Sequence, residues 1–204
     1  GHGERDSELE KALQGVPSGG VNIEEDLKSK KRKDGLLTFG RGELLNDNLE
    51  SYLNRYSKGE PVGKDGYALQ LYGEGQRFWS KGLYRVTPYA FVLLKDENPI
   101  AYIGVDVEDE TTLKVKQLQA INKQQEAHSV LRWEKMLLKV VEDWGQRYGF
   151  NEVRVTKAED TDWWGKRIPN LERHHQVLKM RFDTTAKRCG YKSDKEKNCY
   201  VKKL

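Results

Sequence analysis

The chain has 204 residues, 36% of them hydrophobic, which is enough to bury one core. Lys plus Arg number 36 and Asp plus Glu 32, and a net charge of +4 on so charge-rich a surface gives no broad field directed at nucleic acid. No apolar run is long enough to cross a bilayer, no signal-peptide pattern opens the chain, and Cys189 and Cys199 make neither a disulfide framework nor a zinc spacing, so a soluble, cytoplasmic protein with reduced thiols is expected.

Gly1-His2-Gly3 lacks an initiator Met and reads as a tag scar, which removes His2 from consideration as a functional group. Ser7 to Leu13 can form a short helix capped by Ser7. Val16 to Asp34 combines Pro17, Gly19 and Gly20 with the run Lys28 to Lys33 (KSKKRK), a composition that buries too little apolar area to order itself. Residues 1–34 are therefore expected to be the tag scar and a flexible basic arm, with the folded domain over 35–204. The run Lys28 to Lys33 has two readings: a solvated stretch, or a contact for nucleic acid or an acidic partner.

Gly35 to Phe39 (GLLTF) reads as a first strand, and Asn46 to Tyr56 as a helix capped by Asn46 or Asp47, with Leu49, Tyr52, Leu53 and Tyr56 turned inward. Lys58 to Tyr84 is rich in glycine and aromatics, which suits either a binding loop or a turn-rich connection. Tyr89 to Leu94 and Ile100 to Val107 read as strands joined by a turn over Lys95 to Pro99, and Thr111 to Ala120 as a third strand of an antiparallel meander. Asp106, Glu108 and Glu110 alternate at the end of the second strand, where solvated carboxylates are the plain reading.

From Ser129 to Tyr148, Val130, Trp133, Leu137, Val140, Val141, Trp144 and Tyr148 recur at steps of three and four, the pattern of a helix with one buried side. Gly149 stands where a left-handed cap is wanted, and Asn151 to Thr156 alternates as a strand, so a parallel β-α-β unit is expected. The helix start at Gln124 to Ser129 is either an ordinary solvated turn or an anion site, because unpaired N–H groups and the helix dipole gather there. Beyond it, Trp163 and Trp164 suit a lid as well as they suit a cover over the core. Asn170 to Lys187 reads as a helix with Leu171, His174, Val177, Leu178, Arg181 and Phe182 near one face. Adjacent His174 and His175 point in different directions, so no shared metal is expected; one should pack and the other be solvated. Tyr191 and Cys199 to Leu204 close the chain as a hairpin.

This order of elements, with the meander end TTLKVKQLQA, the helix LRWEKMLLKVVEDWGQRYGF leading into NEVRV, and the terminal AKRCGYKSDKEKNCYVKKL, resembles the GNAT superfamily of N-acetyltransferases. The resemblance implies an α/β (α+β) fold with a mixed, mostly antiparallel central sheet, helices on both faces and acetyl-CoA, or another acyl-CoA, as cofactor. It places the pantetheine arm and thioester on the backbone of Leu118, Gln119 and Ala120, and the pyrophosphate at Gln124, Ala127 and Ser129. His128 is set at the mouth of that turn. The family's loop has a glycine where this chain has Ala127, and its tyrosine acid falls on Ala186, with Cys189 and Tyr191 nearby but not matching. The implied reaction is direct attack by an amine, of a small molecule or of a protein or peptide, with Asp106, Glu108 or Glu110 as base and Trp163 and Trp164 beside the acceptor. Two other functions stay open: an inactive binding module that contacts nucleic acid or an acidic partner, and a relative that takes an aminoacyl group from charged tRNA.

Overall fold

The computed structural model describes residues 43–73, 86–121 and 127–204. The expected basic arm, the strand at Gly35–Phe39, part of the aromatic connection and Gln124 lie outside the described residues. In chain order the elements are β1 (Glu43–Leu44), a 3-10 turn (Asn46–Asn48), α1 (Leu49–Arg55), β2 (Tyr67–Tyr72), β3 (Tyr89–Lys95), β4 (Asn98–Asp109), β5 (Thr112–Ala120) and α2 (Ala127–Val130). Then come α3 (Trp133–Arg147), β6 (Glu152–Thr156), a second 3-10 turn (Ala158–Asp160), α4 (Leu171–Lys179), a π-helical turn (Met180–Thr184), α5 (Thr185–Arg188), β7 (Lys192–Asp194) and β8 (Cys199–Lys203).

Among the described residues the strands form one eight-stranded sheet in the order β1-β2-β3-β4-β5-β6-β8-β7, antiparallel throughout except for the parallel pair β5/β6. The mixed, mostly antiparallel sheet and the β-α-β unit across α3 are thus as expected. β2 was not: YALQLY lies inside the stretch read as a loop or connection, yet it buries Leu69 and Leu71 and pairs along its whole length with β3. Its period of two is short and flanked by glycines, which hid it.

The β3–β4 hairpin turns on Asp96 and Glu97, whose φ values of 49° and 67° are those of a two-residue turn that favours Asn-Gly. Pro99, expected in the turn, belongs to β4, and the register shifts between Leu93 and Leu94 to accommodate it. Asn46, an expected helix cap, instead accepts a hydrogen bond from the Leu69 N–H at 3.2 Å, and the α1 N-terminus has no side-chain cap.

The helix expected over Ser129–Tyr148 breaks after Val130. Residues 56–58 lie against 130–132 as a short bridge: the Lys58 N–H donates to Val130 O at 2.9 Å, and the Arg132 N–H donates to Tyr56 O at 2.8 Å. Those are groups that a continuous helix would use internally, so α3 starts afresh at Trp133. It ends as expected, with Gly149 at φ 82°.

Leu137, Val140, Val141 and Trp144 of α3, Leu49 and Leu53 of α1, and Leu178, Phe182 and Ala186 of the α4–α5 segment join one continuous core. That core lies on the face of Leu69, Phe91, Ile103, Val115 and Val155, so the described helices converge on one side of the sheet and not on both faces as the resemblance implies. Ala90, Val92, Leu94, Tyr102 and Ile121 form a smaller cluster on the opposite side. Leu171 and Val177, read as near one face with Leu178 and Phe182, are 46% and 45% exposed, whereas Leu178 of α4 and Phe182 of the π-helical turn are buried.

Candidate functional site

β5 and β6 separate where their chemistry is of most interest. They pair in parallel only from Thr112/Glu152 to Val115/Val155. β6 stops at Thr156, while β5 continues along β4 to Ala120. At the point of separation Gln117 lies opposite Gly104 and Val115 opposite Val105, so Lys116 is the extra residue of a bulge. The Ile121 N–H donates to Ile100 O at 2.8 Å, which turns Ile121 toward β4. Because N–H and C=O groups alternate sides along a strand, those of Leu118 and Ala120 point to the other edge, where no strand pairs among the described residues. With the parallel pair bridged by α3 and β8 inserted between β6 and β7, the fold is GNAT-like.

A buried polar network stiffens the bulge. The Gln117 side-chain oxygen accepts from the Val86 N–H at 2.9 Å, while its nitrogen donates to the Tyr102 hydroxyl at 3.3 Å; the Thr87 hydroxyl, which donates to Tyr89 O at 2.9 Å, lies 3.5 Å from that oxygen. Tyr102 donates in turn to Gln119 Oε1 at 2.8 Å. Gly104 leaves room for this, since a Cβ there would stand 2.5 Å from Thr87 Oγ1 and 2.9 Å from Gln117. Sequence reasoning missed Thr87, Tyr102, Gly104 and Gln117; the glycine inside a strongly apolar strand was the available signal.

The bulge also brings Lys116 to two of the expected carboxylates. Its Nζ donates to Asp106 Oδ2 at 2.8 Å and stands 3.8 Å from Glu108 Oε1, all three side chains being about a third exposed. Glu110 does not share that face, because β4 ends at Asp109 and Glu110 is an exposed turn residue.

The expected cofactor turn is only partly described. The Ala127 side chain is 3% exposed and belongs to the core, and Ser129 is exposed. His128 turns inward: its Nε2 is 2.6 Å from Ile100 O, and its Nδ1 is buried without a hydrogen-bond partner. Ala127, Ser129 and Val130 wall a cavity of about 830 Å³ with Lys58 and Lys95, where Glu60, Asp65 and Asp96 also face in. Lys95 is already engaged, donating to Asp65 O at 2.6 Å. Since α2 has four residues, the positive end of the long helix lies at Trp133–Lys135, beside a second groove of about 570 Å³.

Trp163 and Trp164 pack against the core, and both adjacent histidines fix them. His174 Nε2 lies 2.7 Å from Trp163 O and His175 Nε2 lies 2.9 Å from Trp164 O, so neither histidine is the solvated one that was expected. The His175 ring stacks on Trp164 with centroids 3.5 Å apart. Ala186, at the family's acid position, is fully buried. Tyr191 is committed elsewhere: its hydroxyl donates to buried Glu142 at 2.8 Å, and Lys202 holds the other carboxylate oxygen at 2.8 Å. Burial and the Glu142 charge push the Tyr191 hydroxyl well above its ordinary pKa. Among the described residues no group of His, Cys, Asp and Glu is placed to hold a metal ion, and no helix is long and apolar enough to cross a membrane.

No protein-family model and no curated protein matches the chain. Among solved structures, it is similar to the Campylobacter jejuni N-acetyltransferase PseH, at 13% identity and a TM-score of 0.35 over 57% of this chain and 66% of that one. It is also similar to a tandem GNAT protein from the clavulanic acid biosynthesis pathway, at 10% identity and a TM-score of 0.34 over 76% of this chain and 44% of that one. The chain therefore spans less than two thirds of either structure's own length.

Proposed function

We propose that the protein is an acyl-CoA-dependent N-acyltransferase that moves an acetyl group to an amine. The observation that carries this reading is the open backbone edge of Leu118–Ala120, held rigid at a bulge where β5 leaves β6. Acetyl-CoA supplies an activated thioester. An extended pantetheine chain fits that edge as an added strand would, and the outward N–H groups of Leu118 and Ala120 are the donors available to a thioester oxygen. Preorganised donors of this kind cost nothing to reorient as negative charge develops on that oxygen.

Asp106 and Glu108 are the bases that would take the proton of the incoming ammonium, with Lys116 moving off Asp106 as it arrives. Ala127 and Ser129 would carry the pyrophosphate, with Lys58 as the nearby unengaged cation of their cavity. In this reading His128 acts through position, tying α2 to β4 at Ile100, and Trp163 and Trp164 form a fixed aromatic wall for the acceptor.

The test is release of free CoA thiol from acetyl-CoA with a panel of amines, comparing the natural chain with Ala120→Pro. Proline removes one outward N–H without touching the ladder to β4. A loss of about 100-fold in turnover with an intact fold is expected if that N–H polarises the carbonyl. Unchanged turnover in the variant rules out the assigned oxyanion donor, and no thiol release with any amine rules out the activity.

A further inference from the structure

The lysine of the β5 bulge is at once the counter-ion of an assigned base and a primary amine beside the acyl edge. Lys116 Nζ donates to Asp106 Oδ2 at 2.8 Å and stands 3.8 Å from Glu108 Oε1. Asp106 lies opposite Lys114 and Val105 opposite Val115, so it is the extra residue of the bulge that reaches back across to the end of β4. A foreign ammonium can use Asp106 only after Lys116 has left it. The paired state therefore hides the base.

The same side chain has the reach to be acylated. Leu118, the first residue assigned an outward N–H, is two positions further along the strand, about 7 Å at the usual strand rise. A lysine nitrogen rides on a flexible four-carbon stem, and rotation about that stem carries Lys116 Nζ from Asp106 to the neighbourhood of the Leu118 N–H. Lys114, four positions from Leu118, is about 13 Å away by the same measure and falls short. An amine tethered beside a reacting carbonyl acts at an effective concentration far above that of any free acceptor.

We propose that Lys116 is itself an acyl acceptor and that its acylation uncovers Asp106. The inference rests on the acyltransferase reading above. The Lys116 ammonium gives one proton to Asp106 and its nitrogen bonds to the thioester carbon. As the C–S bond breaks a second proton goes to the departing sulfur, which leaves an amide N–H on Lys116 and free CoA thiol, and Asp106 returns its proton to water. The acylated side chain carries no charge, so it no longer pairs with either carboxylate. Asp106 and Glu108 are then open to the ammonium of the next acceptor.

The experiment incubates the full chain with acetyl-CoA and no amine, then reads intact mass, a peptide map and thiol release. The same chain in urea runs beside it, as does Lys116→Arg, which keeps the charge but gives up the primary amine; thermal melting checks each fold. One acetyl group per chain, on Lys116, with one equivalent of thiol, formed at least about tenfold faster than in urea, is expected. Turnover with amines is then compared between the pre-acylated chain, Lys116→Arg and Lys116→Gln, whose neutral amide stands in for the acylated side chain. KM for the amine should be at least about tenfold higher in Lys116→Arg than in the other two, with kcat within about twofold, because the arginine still covers Asp106. Thiol release with amines from a chain whose Lys116 stays unmodified overturns this proposal and leaves the acyltransferase reading standing. Acetylation spread evenly over the lysines, or one KM for all three proteins, does the same. No thiol release with or without amines overturns both readings together.

Discussion

Glu152 offers the sharpest test of how the C-terminal hairpin is held. Its carboxylate is almost inaccessible, at 3% side-chain exposure, yet three cations reach it from the sheet surface: Arg154 at 2.6 Å, Lys197 at 3.3 Å, and Lys203 directly across the β6–β8 pair. Burial pushes the carboxyl upward, but the hydrogen bonds from Lys203, Arg154 and Lys197 outweigh it and bring it down to about 2 from an ordinary 4.5. That displacement corresponds to about 3 kcal/mol, and because Lys203 is 73% exposed and screened, roughly 2 kcal/mol is expected in practice. The folded value lies below the unfolded one, so this stability is present in full above about pH 4.5 and drains away as pH falls toward 2. Glu152→Gln keeps the shape and removes the charge. Urea unfolding of both proteins across that range should show the variant about 2 kcal/mol less stable at neutral pH, with the gap closing as acid is added. A gap that stays constant with pH, or no gap at pH 7, would refute the assignment of this stability to the three-cation cluster.

Glu97→Gly should raise stability by about 1 kcal/mol in urea melts, because Glu97 holds φ 67° in a turn that glycine adopts without strain. Gly104→Ala should cost about 1–3 kcal/mol in the same measurement and reduce thiol release as well, since the new methyl must displace Thr87 and Gln117 beside the bulge. Tyr191→Phe leaves Glu142 without one of its two partners and should destabilise by about 1–3 kcal/mol, while turnover at temperatures where the variant stays folded is unchanged. A fall in kcat there would instead make Tyr191 a proton donor in the reaction.

Much of the fold was legible because each stretch carried its own period. YAFVLL and IAYIGVDV are apolar runs too short for helices and bounded by turn residues, and the apolar residues recurring from Ser129 to Tyr148 with Gly149 after them mark a helix and its end, though not its start. Asp106, Ala127, Ser129, Trp163 and Trp164 were singled out from sequence, and the structure places Asp106 near the bulge at Lys116 and Ala127 and Ser129 on one cavity wall. What the sequence could not carry were pairings between distant segments. Only the approach of residues 56–58 breaks the helix at Leu131, taking up backbone groups that local periodicity assigns to the helix itself. Only the registers of β4 and β5 single out Lys116 as the extra residue, and only the end of β6 leaves Leu118–Ala120 with an open edge. His174 and His175 look like neighbours on a helix until a loop eleven residues away supplies the carbonyls they hold. Local chemistry therefore set which elements form and which side each buries; the site depends on where strands stop pairing, a property of two chain segments at once that neither one encodes alone.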